Sequence, residues 1–171
     1  MRRVAIISYG MTKVDKHWRK SLRELFGDAA KKAMAPVTLP GIDALIVGNM
    51  CASDLSVQNN IGALLADYLG ITPTTAYRIE AACGSGGAAV LGAYTAVASG
   101  LYDYVLTGGV EKLTDGVGGN TTYSLGKAAD AEYELFYGSS FVSINALMMN
   151  RYMHVYKLPR EAFADFSVLM H

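Results

Sequence analysis

Residues 75–90 read TAYRIEAACGSGGAAV, and this stretch joins two different kinds of secondary structure. Its first five residues are rich in β-branched and aromatic side chains, which favour a short strand. The small residues Gly84–Gly87 then permit a tight turn, and the apolar positions from Val90 onward recur with helical spacing. The sequence therefore predicts a strand that leads through Cys83 into a long helix.

Cys83 is predicted to lie where unpaired backbone N–H groups and the positive end of the helix dipole collect. Such surroundings stabilise a thiolate, so Cys83 is the candidate nucleophile. Gly84, Gly86 and Gly87 would shape the site, because glycine lets a substrate carbonyl come close to backbone N–H groups. The competing interpretation is a small buried hydrophobe, and we prefer that interpretation for Cys51, which has no comparable setting.

The rest of the first 110 residues alternates between strand and helix patterns. Strands are predicted at residues 3–9, 42–47 and 102–107, in addition to the one before Cys83, with helices between them. This order argues for an α/β fold with a mainly parallel sheet, helices on its faces and right-handed crossovers. We assign residues 1–110 to this core.

Residues 111–171 differ in character and are assigned to a second, partial domain. Residues 111–138 contain five glycines and are predicted to be rich in loops. Helices are predicted from Ser140 to Tyr156 and from Pro159 to His171, with the proline at the first helical position. The last helix stops without a capping signal, so we expect a chain truncated at His171.

Composition excludes several classes of function. Fifteen basic and fifteen acidic residues cancel, and no block of like charge predicts nucleic-acid or anionic membrane partners. The low-charge stretch 81–101 is rich in small residues and is interpreted as a buried helix rather than a membrane span. Two cysteines without zinc-type spacing, and no secretory signal, predict a cytoplasmic protein with no metal site.

Two other motifs compete for the glycine cluster. Residues 84–89 fit the dinucleotide-binding pattern G-x-G-x-x-A, with Glu111 as the acidic residue after the next strand. The match lies in the third β–α unit rather than the first, so a dinucleotide-binding oxidoreductase is the weaker alternative. The serine-hydrolase elbow G-x-S-x-G fails because Cys83 occupies its first position.

Two segments together resemble the thiolase family. EAACGSGGAAV at residues 80–90 is similar to the family's acyl-accepting cysteine at a helix start, and GGVEKLTD at residues 108–115 is similar to the Gly-Gly-hydrophobic-Glu turn after the next strand. YGMTKVDKH at 9–17, VGNMCAS at 47–53 and the segment 151–171 resemble archaeal and sterol-carrier-type thiolases. The order and spacing of these motifs extend the resemblance over the whole chain.

The resemblance implies an acyltransferase that uses coenzyme A thioesters as substrates and holds no covalently bound cofactor. Cys83 would take an acyl group from acyl-CoA as a thioester. A second acetyl-CoA, deprotonated at its methyl group, would attack that thioester in a Claisen condensation. The reverse reaction would be thiolysis of a 3-ketoacyl-CoA.

The resemblance also implies missing parts. Thiolases have two similar halves, and the second carries a Gly-His-Pro histidine and a further catalytic residue that this sequence lacks. We therefore expect that this chain corresponds to the N-terminal half of a thiolase and the start of its helical loop domain. We also expect it to be inactive without a C-terminal half or a complementary subunit. The strand at 102–107 would then be a sheet edge, and an apolar face of helix 88–101 would be uncovered.

The same resemblance implies a homo-oligomer, with hydroxymethylglutaryl-CoA synthase and a small linker protein as further partners. Glu80 stands where many biosynthetic thiolases have asparagine, which leaves the subfamily and its substrate open. The alternative from a different class is a non-catalytic acyl-CoA-binding or scaffolding subunit.

Overall fold

The computed structural model describes residues 2–171, and the chain divides into two compact units at Thr121. Helices and strands alternate through the first unit, as expected for an α/β protein. Its elements are α1 (Leu22–Met34), β1 (Ala44–Gly48), α2 (Ala52–Leu55), α3 (Ile61–Leu69), β2 (Thr75–Ile79), α4 (Ser85–Ser99), β3 (Val105–Gly109) and a 3-10 turn at Leu113–Asp115.

The three strands form one parallel sheet in the order β2-β1-β3. Gly48, at the end of β1, is in register with Ile79 and Gly109 on either side. Because the strands are parallel, their carboxyl ends meet at the same edge of the sheet. The predicted parallel sheet flanked by helices is thus confirmed, and β3 is an edge strand as expected.

The two faces of β1 are buried against different helices. Leu45 and Val47 belong to a cluster with residues of α1 and α3, whereas Ile46 packs with Ala89 and Ala93 of α4. Every residue of β1 is buried, which agrees with its uninterrupted apolar sequence. The strand is therefore the centre of a three-layer arrangement.

Helix α4 is buried on one face rather than all round, which corrects the predicted buried helix at 81–101. Ala89 and Ala93 pack against Ile46 of the sheet, whereas Val90 and Leu91 are 49% and 65% exposed and Tyr94 is also exposed. Small side chains allow the helix to lie close to the sheet, and the larger apolar ones point away. An uncovered apolar face on this helix matches the expectation.

The predicted strand at residues 3–9 is wrong. The segment carries no strand, and Ile6 is 87% exposed. β-Branched residues favour a strand, but a ladder needs a partner, and this segment pairs with neither edge of the sheet. It is held instead at its ends, where Arg2 N–H donates to the Ala98 carbonyl (3.1 Å) and Lys32 Nζ donates to the Met11 carbonyl (3.1 Å).

Strand β3 begins at Val105, three residues later than predicted. The backbone N–H groups of Asp103 and Tyr104 donate to Asp43 Oδ2, at 2.9 and 2.8 Å. A carboxylate at the end of a neighbouring loop therefore occupies the donors that would have started the ladder.

Helix α5 (Gly119–Gly126) crosses the division between the units, and the second unit, Thr122–His171, is helical. Its helix α6 (Phe141–Tyr156) begins after Ser140, which forms a capping box with Ser143. The predicted helix from Pro159 is wrong in detail, because Pro159 precedes a 3-10 turn. The remaining elements are a π-helical turn at Ala131–Leu135, the 3-10 turn at Arg160–Phe163 and α7 (Ala164–Met170).

Within residues 2–171, no helix combines the length and the apolar character needed to cross a bilayer. The same residues contain no group of three or more His, Cys, Asp or Glu side chains placed to hold a metal ion.

Candidate active site

Cys83 lies between the end of β2 at Ile79 and the start of α4 at Ser85, so the predicted strand–turn–helix is confirmed. The cysteine is exposed, which excludes the buried-hydrophobe interpretation for this residue. Cys51 is 2% exposed, which agrees with its interpretation as a small buried hydrophobe. The two cysteines thus differ in the access that a nucleophile needs.

The start of α4 is electrostatically suited to an anion. Its first turn contains no acidic residue, and the residue before it, Gly84, supplies no side-chain cap. The N–H groups of Gly86 and Gly87 therefore keep the unpaired character of a first helical turn. Together with the helix dipole, they favour negative charge on a group next to the helix start.

Two glycines let the start of α4 lie close to the carboxyl edge of the sheet. A Cβ atom on Gly48 would lie 2.7 Å from Gly86 N and 2.6 Å from the carbonyl carbon of Ser85. A Cβ atom on Gly109 would lie 3.4 Å from Gly86 Cα. Gly48 and Gly109, which we call the glycine junction, therefore set how closely the Cys83 turn approaches the sheet.

The predicted helix-start glycines divide into two kinds. A Cβ atom on Gly84 would lie 3.2 Å from the Ala81 carbonyl oxygen, so space is limited there. A Cβ atom on Gly86 or Gly87 would meet nothing within 4 Å, so packing does not require glycine at either position. The structure brings Gly84 and Gly86 to the turn, and Gly87 follows them on the exposed side of the helix.

The loops after β1 and β3 are joined beside the glycine junction. The fully buried Asn49 donates from Nδ2 to the Val110 carbonyl (2.8 Å) and accepts at Oδ1 from Ala52 N–H (3.0 Å). The Glu111 carboxylate accepts from the N–H groups of Met50 and Cys51. These bonds fix the edge of the sheet on which the Cys83 turn rests.

Sequence reasoning missed Gly48, Asn49 and Gly109 as parts of this site. The available signal was the Gly-Asn pair directly after the predicted strand 42–47 and the Gly-Gly pair directly after the predicted strand 102–107. Parallel strands bring such pairs to one edge, where the start of α4 also lies. The nucleotide-binding role suggested for Glu111 is not supported, since its carboxylate is engaged by backbone N–H groups of the neighbouring loop.

Comparison with known proteins identifies this arrangement. Residues 4–171 match the model of the thiolase N-terminal domain. The chain belongs to the thiolase family. The confirmed junction at Cys83 and the turn containing Glu111 are two of the segments on which the sequence resemblance to thiolases was based.

Curated thiolase relatives agree with this assignment. The chain is 43% identical to an acetyl-CoA acetyltransferase of Methanocaldococcus jannaschii and 40% identical to one of Methanothermobacter thermautotrophicus, in both cases over all of its length. It spans 44% and 45% of the length of these relatives.

A solved structure shares the fold. The crystal structure of 3-oxoacyl-[acyl-carrier-protein] synthase III from Aquifex aeolicus VF5 matches with a TM-score of 0.52 and 23% identity, over 63% of this chain and 35% of that chain. At this identity the likeness concerns the fold, and it agrees with the parallel sheet and flanking helices described above.

Proposed function

We propose that this thiolase chain carries the acyl-accepting site of an acetyl-CoA acetyltransferase, with Cys83 as the nucleophile. The observation that carries the proposal is an exposed cysteine at the start of α4 in a chain that matches the thiolase N-terminal domain. The Cys83 sulfur forms a bond to the carbonyl carbon of acyl-CoA while the bond to the coenzyme A sulfur breaks. The proton that the Cys83 thiol gives up ends on the departing coenzyme A thiolate, so the step is balanced.

The first turn of α4 supports this step electrostatically. Negative charge develops on the carbonyl oxygen of the thioester as the cysteine sulfur attacks. Backbone N–H groups at a helix start stabilise such charge because they are already oriented before the reaction. We assign this role to the N–H groups of Gly86 and Gly87, which have no side-chain cap.

The full reaction requires a second substrate and acid–base groups. We propose that the carbanion of a second acetyl-CoA attacks the carbonyl carbon of the S-acetyl group, forming a carbon–carbon bond while the bond to the Cys83 sulfur breaks, so that acetoacetyl-CoA and the free Cys83 thiolate result. In the reverse direction, the Cys83 sulfur attacks the 3-keto carbonyl, the carbon–carbon bond breaks, and acetyl-CoA leaves as a carbanion that takes up a proton. The base that removes the methyl proton is assigned to a C-terminal half or a complementary subunit. We further propose that the complete protein is a cytoplasmic homo-oligomer. Its proposed partners are hydroxymethylglutaryl-CoA synthase and a small linker protein.

Acetylation of Cys83 is the direct test. The complete gene product that contains these residues is incubated with acetyl-CoA, and the peptides are analysed by mass spectrometry. We expect one acetyl group on Cys83, lost in Cys83→Ala and retained in Cys51→Ala. No acetyl adduct, or equal labelling of both cysteines, would contradict the nucleophile assignment. Coenzyme A binding without any adduct would support the non-catalytic alternative instead.

A further inference from the structure

The residue directly before Cys83 has an unusual backbone conformation. Ala82 has a φ of +48°, and it is one of four non-glycine residues with positive φ among residues 2–171. A residue with a Cβ atom is disfavoured in this left-handed region. Such a conformation persists where the surrounding structure holds it, and it is found most often at functional sites.

Both backbone polar groups of Ala82 are held by side chains. Its N–H donates to Glu80 Oε1, and its carbonyl oxygen accepts from Ser85 Oγ at 2.6 Å and also from the Ser85 backbone N–H at 3.1 Å. Ser85 Oγ also accepts from Ala81 N–H at 2.9 Å. The serine is 4% exposed, whereas Glu80 is exposed. The buried hydroxyl therefore ties together two consecutive residues of the turn, and the exposed carboxylate adds a third bond from outside.

The Ser85 hydroxyl serves the turn rather than the helix. Ser85 is the first residue of α4, yet both of its side-chain hydrogen bonds run back to residues 81 and 82. A serine that stabilised the helix end would instead accept from N–H groups in the first turn. Ser85 makes no such bond, and Gly84 before it has no side chain that could cap the helix.

We propose that Ser85 is a positioning residue for Cys83. By holding Ala82 in the left-handed conformation, its hydroxyl fixes the direction in which the chain leaves β2 and so places the cysteine at the start of α4. This inference rests on the proposed function of Cys83, because positioning matters for a reacting group. Without the hydroxyl, Ala82 relaxes toward negative φ and the cysteine loses its alignment with the helix start.

The primary test is Ser85→Ala in the complete gene product. Two rates are measured at Cys83 by peptide mass spectrometry, namely acetylation by acetyl-CoA and alkylation by iodoacetamide. We expect acetylation to slow by about tenfold or more, a change within the range that release of a left-handed non-glycine residue allows. Alkylation should change less, because iodoacetamide is not bound and needs no fixed approach to the helix start.

A rescue variant separates positioning from general stability. Ala82→Gly removes the steric cost of positive φ, so the turn can form without the serine. We expect the double variant Ala82→Gly/Ser85→Ala to recover a large part of the acetylation rate lost in Ser85→Ala. Ser99→Ala is the matched control, because Ser99 Oγ donates to the Ala96 carbonyl (2.9 Å) at the other end of the same helix. In that variant, Cys83 should be acetylated at the same rate as in the unmodified protein.

The outcomes distinguish this inference from the proposed function. If Cys83 is acetylated at the same rate in Ser85→Ala, the positioning role is excluded while the nucleophile assignment stands. A slow Ser85→Ala variant that Ala82→Gly does not rescue would reduce the serine to a packing role. If the unmodified protein shows no acetylation, the proposed function fails, and the positioning role that rests on it is overturned as well.

Discussion

At the scale of single residues, Gly48 controls the site although it lies 35 positions before Cys83. An added methyl group would meet the backbone of Ser85 and Gly86, which cannot move aside as a flexible side chain could. We therefore predict that Gly48→Ala lowers the free energy of unfolding by about 1–3 kcal/mol, as overpacking does. It should also slow acetylation of Cys83, because the helix start must shift. Urea denaturation and the labelling assay measure the two effects.

Gly41 provides the control for this substitution. A Cβ atom there would meet nothing within 4 Å, so Gly41→Ala should leave both the unfolding free energy and the labelling rate nearly unchanged. Equal stability of the two variants would show that the helix start does not rest on β1 as described.

The residue scale also shows what the sequence could predict. The position of Cys83 follows from local signals, because a strand pattern at 75–79, four small residues at 84–87 and a helical period from Val90 follow one another in one short stretch. The need for glycine at position 48 comes from a helix much later in the chain, and no local pattern carries that information. Ala82 is equally invisible in the sequence, since nothing about an alanine indicates positive φ.

At the scale of the elements, the start of β3 depends on a carboxylate. Hydrogen bonds from the backbone N–H groups of Tyr104 and Asp103 lower the pKa of Asp43 below its usual value. A group with a lowered folded-state pKa contributes stability above its unfolded pKa, and that contribution is lost as the pH falls through the folded value. Below about pH 4, the unfolded-state value for aspartate, the stability provided by Asp43 should therefore decline.

We predict that Asp43→Asn reduces the acid dependence of stability. The thermal midpoint of the unmodified chain should fall on acidification from pH 6 to pH 3, and the fall should be smaller in the variant. Asp67→Asn, a surface change on α3, controls for the loss of one charge. If both variants show the same acid dependence as the unmodified chain, the carboxylate does not hold the start of β3.

Elements differ in how well the sequence predicted them. The bounds of β2 agree with the prediction because its β-branched residues end at a clear glycine-rich turn. Residues 3–9 have similar composition but carry no strand, because strand formation also depends on a partner that composition does not reveal. The later start of β3 has the same kind of cause, a distant carboxylate that captures its first donors.

At the scale of the whole molecule, α4 packs with its small residues and exposes its large apolar ones. The sequence predicted a helix here from its apolar period, but periodicity does not say which of two apolar faces meets the sheet. The alanine face packs on the sheet because its small side chains allow the helix to lie closer to the strands. The face with Val90, Leu91 and Tyr94 remains exposed.

We predict opposite consequences for substitutions on the two faces of α4. Leu91→Gln should change the free energy of unfolding by no more than about 0.5 kcal/mol, as is usual for surface positions. It should also reduce binding of a hydrophobic fluorescent dye. Ala89→Leu, on the fully buried face, should destabilise the fold by about 1–3 kcal/mol. Denaturant titration of both variants is the measurement, and a costly Leu91→Gln would show that this face is covered in solution.

The glycine junction has a consequence for sequence variation. Gly48 and Gly109 come from two different strands, and a Cβ atom at either position would meet the backbone of the same residue, Gly86. A first substitution that displaces the helix start leaves a gap, so a second substitution in the junction then costs less. Changes at the two positions are therefore epistatic rather than additive, as expected for residues with a shared partner. The approach of the nucleophile to the sheet is thus determined jointly by two separate parts of the chain.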